Sequence, residues 1–305
     1  MAGSTRQKVR TFVVISVCSV VALILLYVIA VRTSFGQKFD DIAFEGRAVE
    51  GTEVTKGLND LLHSVTRSTL LLLTAALVVF ALARRRVRLA LAVGSGVTMS
   101  VLTTEILKNQ VLSRPSLDDV AGIAQNSFPS GHATIAMALS LGMVMVAPHR
   151  WRWTAMVAGL ALSLTFGIGV LATGWHRPSD VIAAYLVCVA IFALVTAMLL
   201  RVSGLGDVRA DQLGEIEERL TPLWSALLGL LVVAIAGFTV VSSFTANALH
   251  TVDFAPEYVA VCVVILLFGA AVVTGYHELL RGVSLDSSPS PAAQSGAVRD
   301  QPVNF

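Results

Sequence analysis

Apolar residues in this chain gather into long runs separated by short polar intervals. The runs lie at about 12–31, 68–83, 89–107, 133–147, 154–173, 181–200, 223–244 and 258–276. Most approach or exceed the roughly 18 residues that a helix needs to cross a bilayer's hydrocarbon layer. A helix satisfies its own backbone in lipid, where an open strand or loop cannot. The pattern therefore predicts an all-α polytopic membrane bundle of about eight transmembrane helices.

Charge orients the bundle. Arg84-Arg85-Arg86-Val87-Arg88 places four arginines in five residues between the second and third runs. Such a cluster marks a cytoplasmic turn, and Arg6, Lys8 and Arg10 keep the start of the chain on the same side. His149-Arg150-Trp151-Arg152-Trp153 fits a cytoplasmic interface as well. The segment 32–67, mixed in sign and holding Asp40, Asp41, Glu45, Glu50, Glu53 and Asp60, reads as an external loop with a short helix near 58–65. The expected organisation is a six-span core over 1–200, a cytoplasmic linker over 201–222, two further spans over 223–276 and a disordered cytoplasmic tail over 277–305. Both termini fall inside.

Composition agrees with this reading. The 305 residues are 55% hydrophobic and 14% charged, with mean hydropathy +0.76, against about 25% charged in a soluble domain. Cys18, Cys188 and Cys262 all lie inside apolar runs without paired spacing, which argues against a disulfide framework or a metal site. The first run is too long for a signal-peptide core and is kept as a span. No basic stripe or motif supports nucleic-acid binding.

Three polar clusters fall on the external side of this topology. The first is Lys108 with Arg114-Pro115, after the third span. The second is Pro129-Ser130-Gly131-His132, where a helix opens after Pro129 and Gly131 interrupt regular structure. Free amides and the dipole at such an opening bind anions, and Ser130 is a natural N-cap. The third is His176-Arg177-Pro178-Ser179-Asp180. Four residues apart, His176 and Asp180 share a helix face if the sixth span begins near Pro178. A carboxylate on one imidazole nitrogen leaves the other free to attack, while His132 can protonate a leaving oxygen. Lys108, Arg114, Ser130 and Gly131 would grip phosphate. Together these residues fit phosphoester hydrolysis through a phosphohistidine. A divalent metal is the competing use of two histidines and an aspartate, but Lys108 and Arg114 oppose it, so no metal or cofactor is expected.

With Lys108, Arg114-Pro115, Pro129-Ser130-Gly131-His132 and His176-x-x-x-Asp180 in this order, residues 70 to 200 resemble the type 2 phosphatidic acid phosphatase superfamily. The resemblance implies an extracytoplasmic site on a six-helix core, His176 as nucleophile assisted by Asp180, and His132 as acid. It also implies phosphate binding by Lys108, Arg114, Ser130 and Gly131. Two departures stand out. Five residues separate Lys108 from Arg114 where the family pattern has six. The family's Ser-Arg pair before the nucleophile is Gly169-Val170 here, and Arg177, next to His176, is the expected substitute for its arginine. The substrate class implied is a lipid phosphate or diphosphate in a plasma membrane, with a polyprenyl carrier favoured and phosphatidic acid or phosphatidylglycerol phosphate as alternatives. A phosphotransferase and a non-catalytic lipid-binding or transport protein are the rival readings.

Overall fold

The computed structural model of the chain describes residues 5–45, 53–64, 67–117, 126–203, 256–281 and 283. Every regular element among them is helical. In chain order these are α1 (Thr5–Leu26, extended by a π turn Tyr27–Val31), α2 (Ser34–Glu45), α3 (Glu53–Ser64), α4 (Arg67–Ala83), α5 (Val87–Ile106, extended by a π turn Leu107–Val111), α6 (Gly131–Val146), α7 (Arg152–Ala172), α8 (Pro178–Ser203) and α9 (Pro256–Arg281). Five stretches are long and apolar enough to cross a membrane: Thr5–Val31, Val87–Val111, His149–Ala172, Pro178–Val202 and Glu257–Arg281. Residues 201–203 of the expected linker end α8, and residues 277–281 of the expected tail continue α9; the rest of the linker, the span at 223–244 and the tail from 284 lie outside the described residues.

Two expected spans are shorter. α4 has 17 residues and α6 has 16, and at 1.5 Å per residue each covers roughly 25 Å of the about 30 Å hydrocarbon layer. The reason for α6 is local: its start is fixed by the Ser130 cap, and Pro148 ends it just beyond Ala147. It does not need to face lipid, because α4, α5, α7 and α8 pack around it and most of its side chains are buried.

Close backbone approach sets α6, α7 and α8 against one another. A Cβ on Gly159 would stand 3.0 Å from the Ser140 side chain, and one on Gly167 only 2.2 Å from the Tyr185 hydroxyl. Ser140 Oγ donates to Gly159 O at 2.6 Å and Tyr185 Oη donates to Ser163 O at 2.6 Å, so these polar groups are satisfied in the core. α1 lies along α8. Its outward residues Val13, Val17, Val20, Ile24 and Val28 are exposed, as a lipid-facing helix requires. α9 runs antiparallel to α7. Ile265 nears Gly167, Leu164 nears Gly269, and Arg152 Nη1 donates to Leu280 O at 2.7 Å.

The region expected as an external loop contains two helices instead. Thr33 caps α2: its Oγ1 accepts from Gly36 N at 3.0 Å, and Gln37 N donates to Thr33 O. Gly36 is required here, since a Cβ would lie 2.0 Å from Ile29 O where α2 folds back on the end of α1. Helix α3 is longer than the short helix expected near 58–65, opening at Glu53.

Candidate active site

The turn between α7 and α8 is built to present a histidine. Gly174 takes φ 72°, the left-handed conformation that closes a helix C-terminus. Gly174 N then donates to Leu171 O, and Trp175 N and His176 N donate to Val170 O. Pro178 opens α8 at its first position, where a missing N–H costs nothing. Asp180, two residues on, reaches back with Oδ2 to accept from Arg177 N at 3.0 Å, a reciprocal cap. The same oxygen meets His176 Nδ1 at 3.2 Å and accepts from Ser127 Oγ at 2.6 Å. His176 and Asp180 are both buried, while Asp180 Oδ1 has no partner.

α6 begins against this pair. Ser130 N donates to Asp180 O at 3.0 Å, and Ser130 Oγ accepts from Ala133 N at 3.4 Å. Thr134 N donates to Ser130 O, leaving the first amides of α6, those of Gly131 and His132, without a helical acceptor. His132 lies edge-on to Trp175, with ring centroids 5.1 Å apart. It feels the charges of His176 and Lys108, and its ring bonds to the backbone of Leu62 on α3. The two histidines thus stand at one end of the bundle, on either side of the starts of α6 and α8. Glu105 also comes near, with Oε1 3.5 Å from where a Gly131 Cβ would be.

The cations arrive from α5. Lys108 sits in the π turn, and Asn126 Nδ2 ties that turn to the stretch before α6 by donating to Lys108 O at 2.9 Å and Leu112 O at 2.8 Å. Past Val111 the backbone is extended, so the one-residue difference in the Lys108–Arg114 interval is absorbed outside regular helix. The Arg114 side chain is buried, and its charge acts on Asp180. Its Nη2 donates to Asp40 at 2.9 Å, but Nε and Nη1 are buried without an acceptor. An unpaired buried donor costs about 1–3 kcal/mol, more when charged, so these N–H groups have room for a further acceptor.

Asp40 and Asp41, read from sequence only as loop acids, enter the site from α2. Asp40 accepts from Arg114, from Ser179 N at 3.1 Å and from Ser179 Oγ. Arg177 does not point freely at the histidines: Nε donates to Asp41 Oδ1 at 2.6 Å, and the guanidinium lies 5.6 Å from the Phe44 ring centroid. Val170, at the place of the family arginine, is fully buried in the apolar core. His63 of α3 adds a third imidazole, with its ring centroid 4.6 Å from Trp175. The signal for α2 was present in the spacing of Phe35, Phe39 and Ile42 opposite Gln37, Asp40 and Asp41; nothing local marks His63.

A helical bundle with five stretches long and apolar enough to cross a membrane, gathering a histidine–aspartate pair, a second histidine and a half-paired buried arginine at one end, has the character of a multi-pass membrane protein with a polar site at that end. Residues 89–203 match the family model described as the PAP2 superfamily, so this stretch of the chain is similar to the type 2 phosphatidic acid phosphatases. The matched stretch runs from α5 through α8 and holds His176, Asp180, His132, Lys108, Arg114, Ser130, Gly131 and Arg177, but not α2 or α3. The match suggests a phosphatase on a membrane helical scaffold. No curated protein and no solved structure matches the chain.

Proposed function

We propose that the protein is a membrane phosphatase that releases phosphate from a lipid phosphate or diphosphate through a phosphohistidine. One observation carries this reading. Arg114, buried beside the His176–Asp180 pair, keeps two guanidinium nitrogens, Nε and Nη1, without an acceptor.

With Nδ1 held by Asp180, His176 attacks phosphorus through Nε2. The phosphoester bond breaks as the N–P bond forms, and Asp180 steadies the resulting positive imidazole. Charge gathering on the phosphoryl oxygens meets Arg114, Lys108 and the amides of Gly131 and His132. His132, protonated, gives its proton to the leaving oxygen. It then takes a proton from water, whose oxygen displaces His176 from phosphorus and yields inorganic phosphate.

We place the site on the extracytoplasmic face of the plasma membrane, in a chain of eight spans with both termini inside; the arginines of residues 84–88 support that orientation. A headgroup could enter there while its chain stays in the bilayer, and a polyprenyl phosphate or diphosphate is the favoured substrate.

The test offers purified protein a panel of lipid phosphates in detergent and measures inorganic phosphate. His176→Ala should abolish release, and His132→Ala should lower it about 10²- to 10⁴-fold, the usual worth of a positioned acid. Release that survives His176→Ala would sink the assignment. Label moving to a second lipid, without free phosphate, would mark a phosphotransferase.

A further inference from the structure

Helix α2 has two faces of opposite character. Gln37, Asp40, Asp41 and Phe44 turn inward. Gln37 Nε2 donates to Val31 O and Pro115 O at 2.7 Å each, and the two aspartates hold Arg114 and Arg177. Phe35, Phe39 and Ile42 recur at the i, i+4, i+7 spacing of a single stripe and are 79%, 53% and 41% exposed. That stripe follows directly on the exposed apolar face of α1, which ends in Val28 and Ile29, and Lys38 stands exposed at its edge. An apolar stripe continuous with a membrane helix and flanked by a lysine suits the headgroup–acyl boundary of a bilayer.

The inward face mimics a ligand. Asp40 places a carboxylate on a guanidinium, a helix-start amide and a hydroxyl, the donor types that bind a phosphate oxygen. Asp41 occupies Arg177, the cation expected to replace the arginine missing at Gly169-Val170. Consecutive residues on one helix therefore engage both arginines of the site together.

We propose that α2 is a bilayer-borne cover: its stripe lies in the leaflet on the site's side, and Asp40 and Asp41 occupy Arg114 and Arg177 until a phosphate group displaces them. This rests on the reading of the site as a phosphate site. Displacement frees Arg177 for the phosphoryl group and leaves α2 anchored in lipid beside the entering headgroup. A phosphate carried by the same leaflet meets the cover at its edge.

The probe is inorganic phosphate, titrated by calorimetry onto the full chain in lipid nanodiscs. Asp40→Asn/Asp41→Asn, which removes the competing charges and keeps the side-chain shape, should bind phosphate about tenfold more tightly, equivalent to about 1.4 kcal/mol. Equal or weaker binding, or no binding by either protein, overturns the cover. Should the double variant fail to fold, a fluorophore on Phe39→Cys in a Cys18→Ser chain decides instead. Nitroxide lipids in the same leaflet should quench it, and unquenched emission overturns the proposal. If phosphate binds as expected while no lipid phosphate is hydrolysed, the phosphatase reading falls and the cover stands. Turnover with equal phosphate affinities gives the reverse.

Discussion

Asp40 belongs to α2 in sequence and to the candidate site in space. Burial pushes its carboxyl from 3.8 up to about 6, and the charge of Asp180 adds to this, while Ser179 and Arg114 pull it down. A raised carboxyl binds its proton more tightly in the native protein than in the unfolded chain. Stability therefore grows as pH falls through about 6 and levels off near 3.8. A shift of this size is worth about 3 kcal/mol over that window. Between pH 7 and pH 5 the thermal midpoint of the wild type should rise relative to that of Asp40→Asn; parallel curves would remove Asp40 as the source. The histidine–aspartate pairing was legible because it is local, four residues on one helix turn. The Asp40–Arg114 pair was not, since 74 positions separate its members and no periodicity joins them.

Among the elements, the five long spans were readable from run length because hydrocarbon admits little besides a self-bonded helix. The error lay at α2 and α3. Their mixed charges resembled a loop, and the partners of the α2 acids, Arg114, Arg177 and Ser179, lie far off in sequence. Packing between helices is equally specific where small residues meet large ones. Gly167→Ala would drive a methyl group into the Tyr185 hydroxyl and break its bond to Ser163. A loss of about 1–3 kcal/mol is expected from overpacking of this kind. Adding Tyr185→Phe should recover part of it, measured as a coupling energy in a double-mutant cycle of thermal or denaturant unfolding. Strict additivity would place the strain elsewhere.

For the whole molecule, the ends of the bundle differ in chemistry. One carries the histidines and the half-paired Arg114. The other carries the turn at residues 84–86, where Arg84 Nη1 donates to Val146 O at 2.9 Å, and the segment His149–Trp151. A cysteine at exposed Ser113, beside the site, should react with a membrane-impermeant maleimide in intact cells. One at exposed Arg150 should react only after permeabilisation. The opposite pattern would invert the topology. The starts of α6 and α8 are joined twice, by Ser130 N to Asp180 O and by Ser127 Oγ to Asp180 Oδ2, and neither link involves α2. The elements that carry His176 and His132 are thus tied together without α2, and on the proposed reading α2 can lift like a door without parting them. Loosening that door would alter half-saturation and leave the turnover number nearly constant, so substrate preference can drift in evolution without disturbing the chemical step.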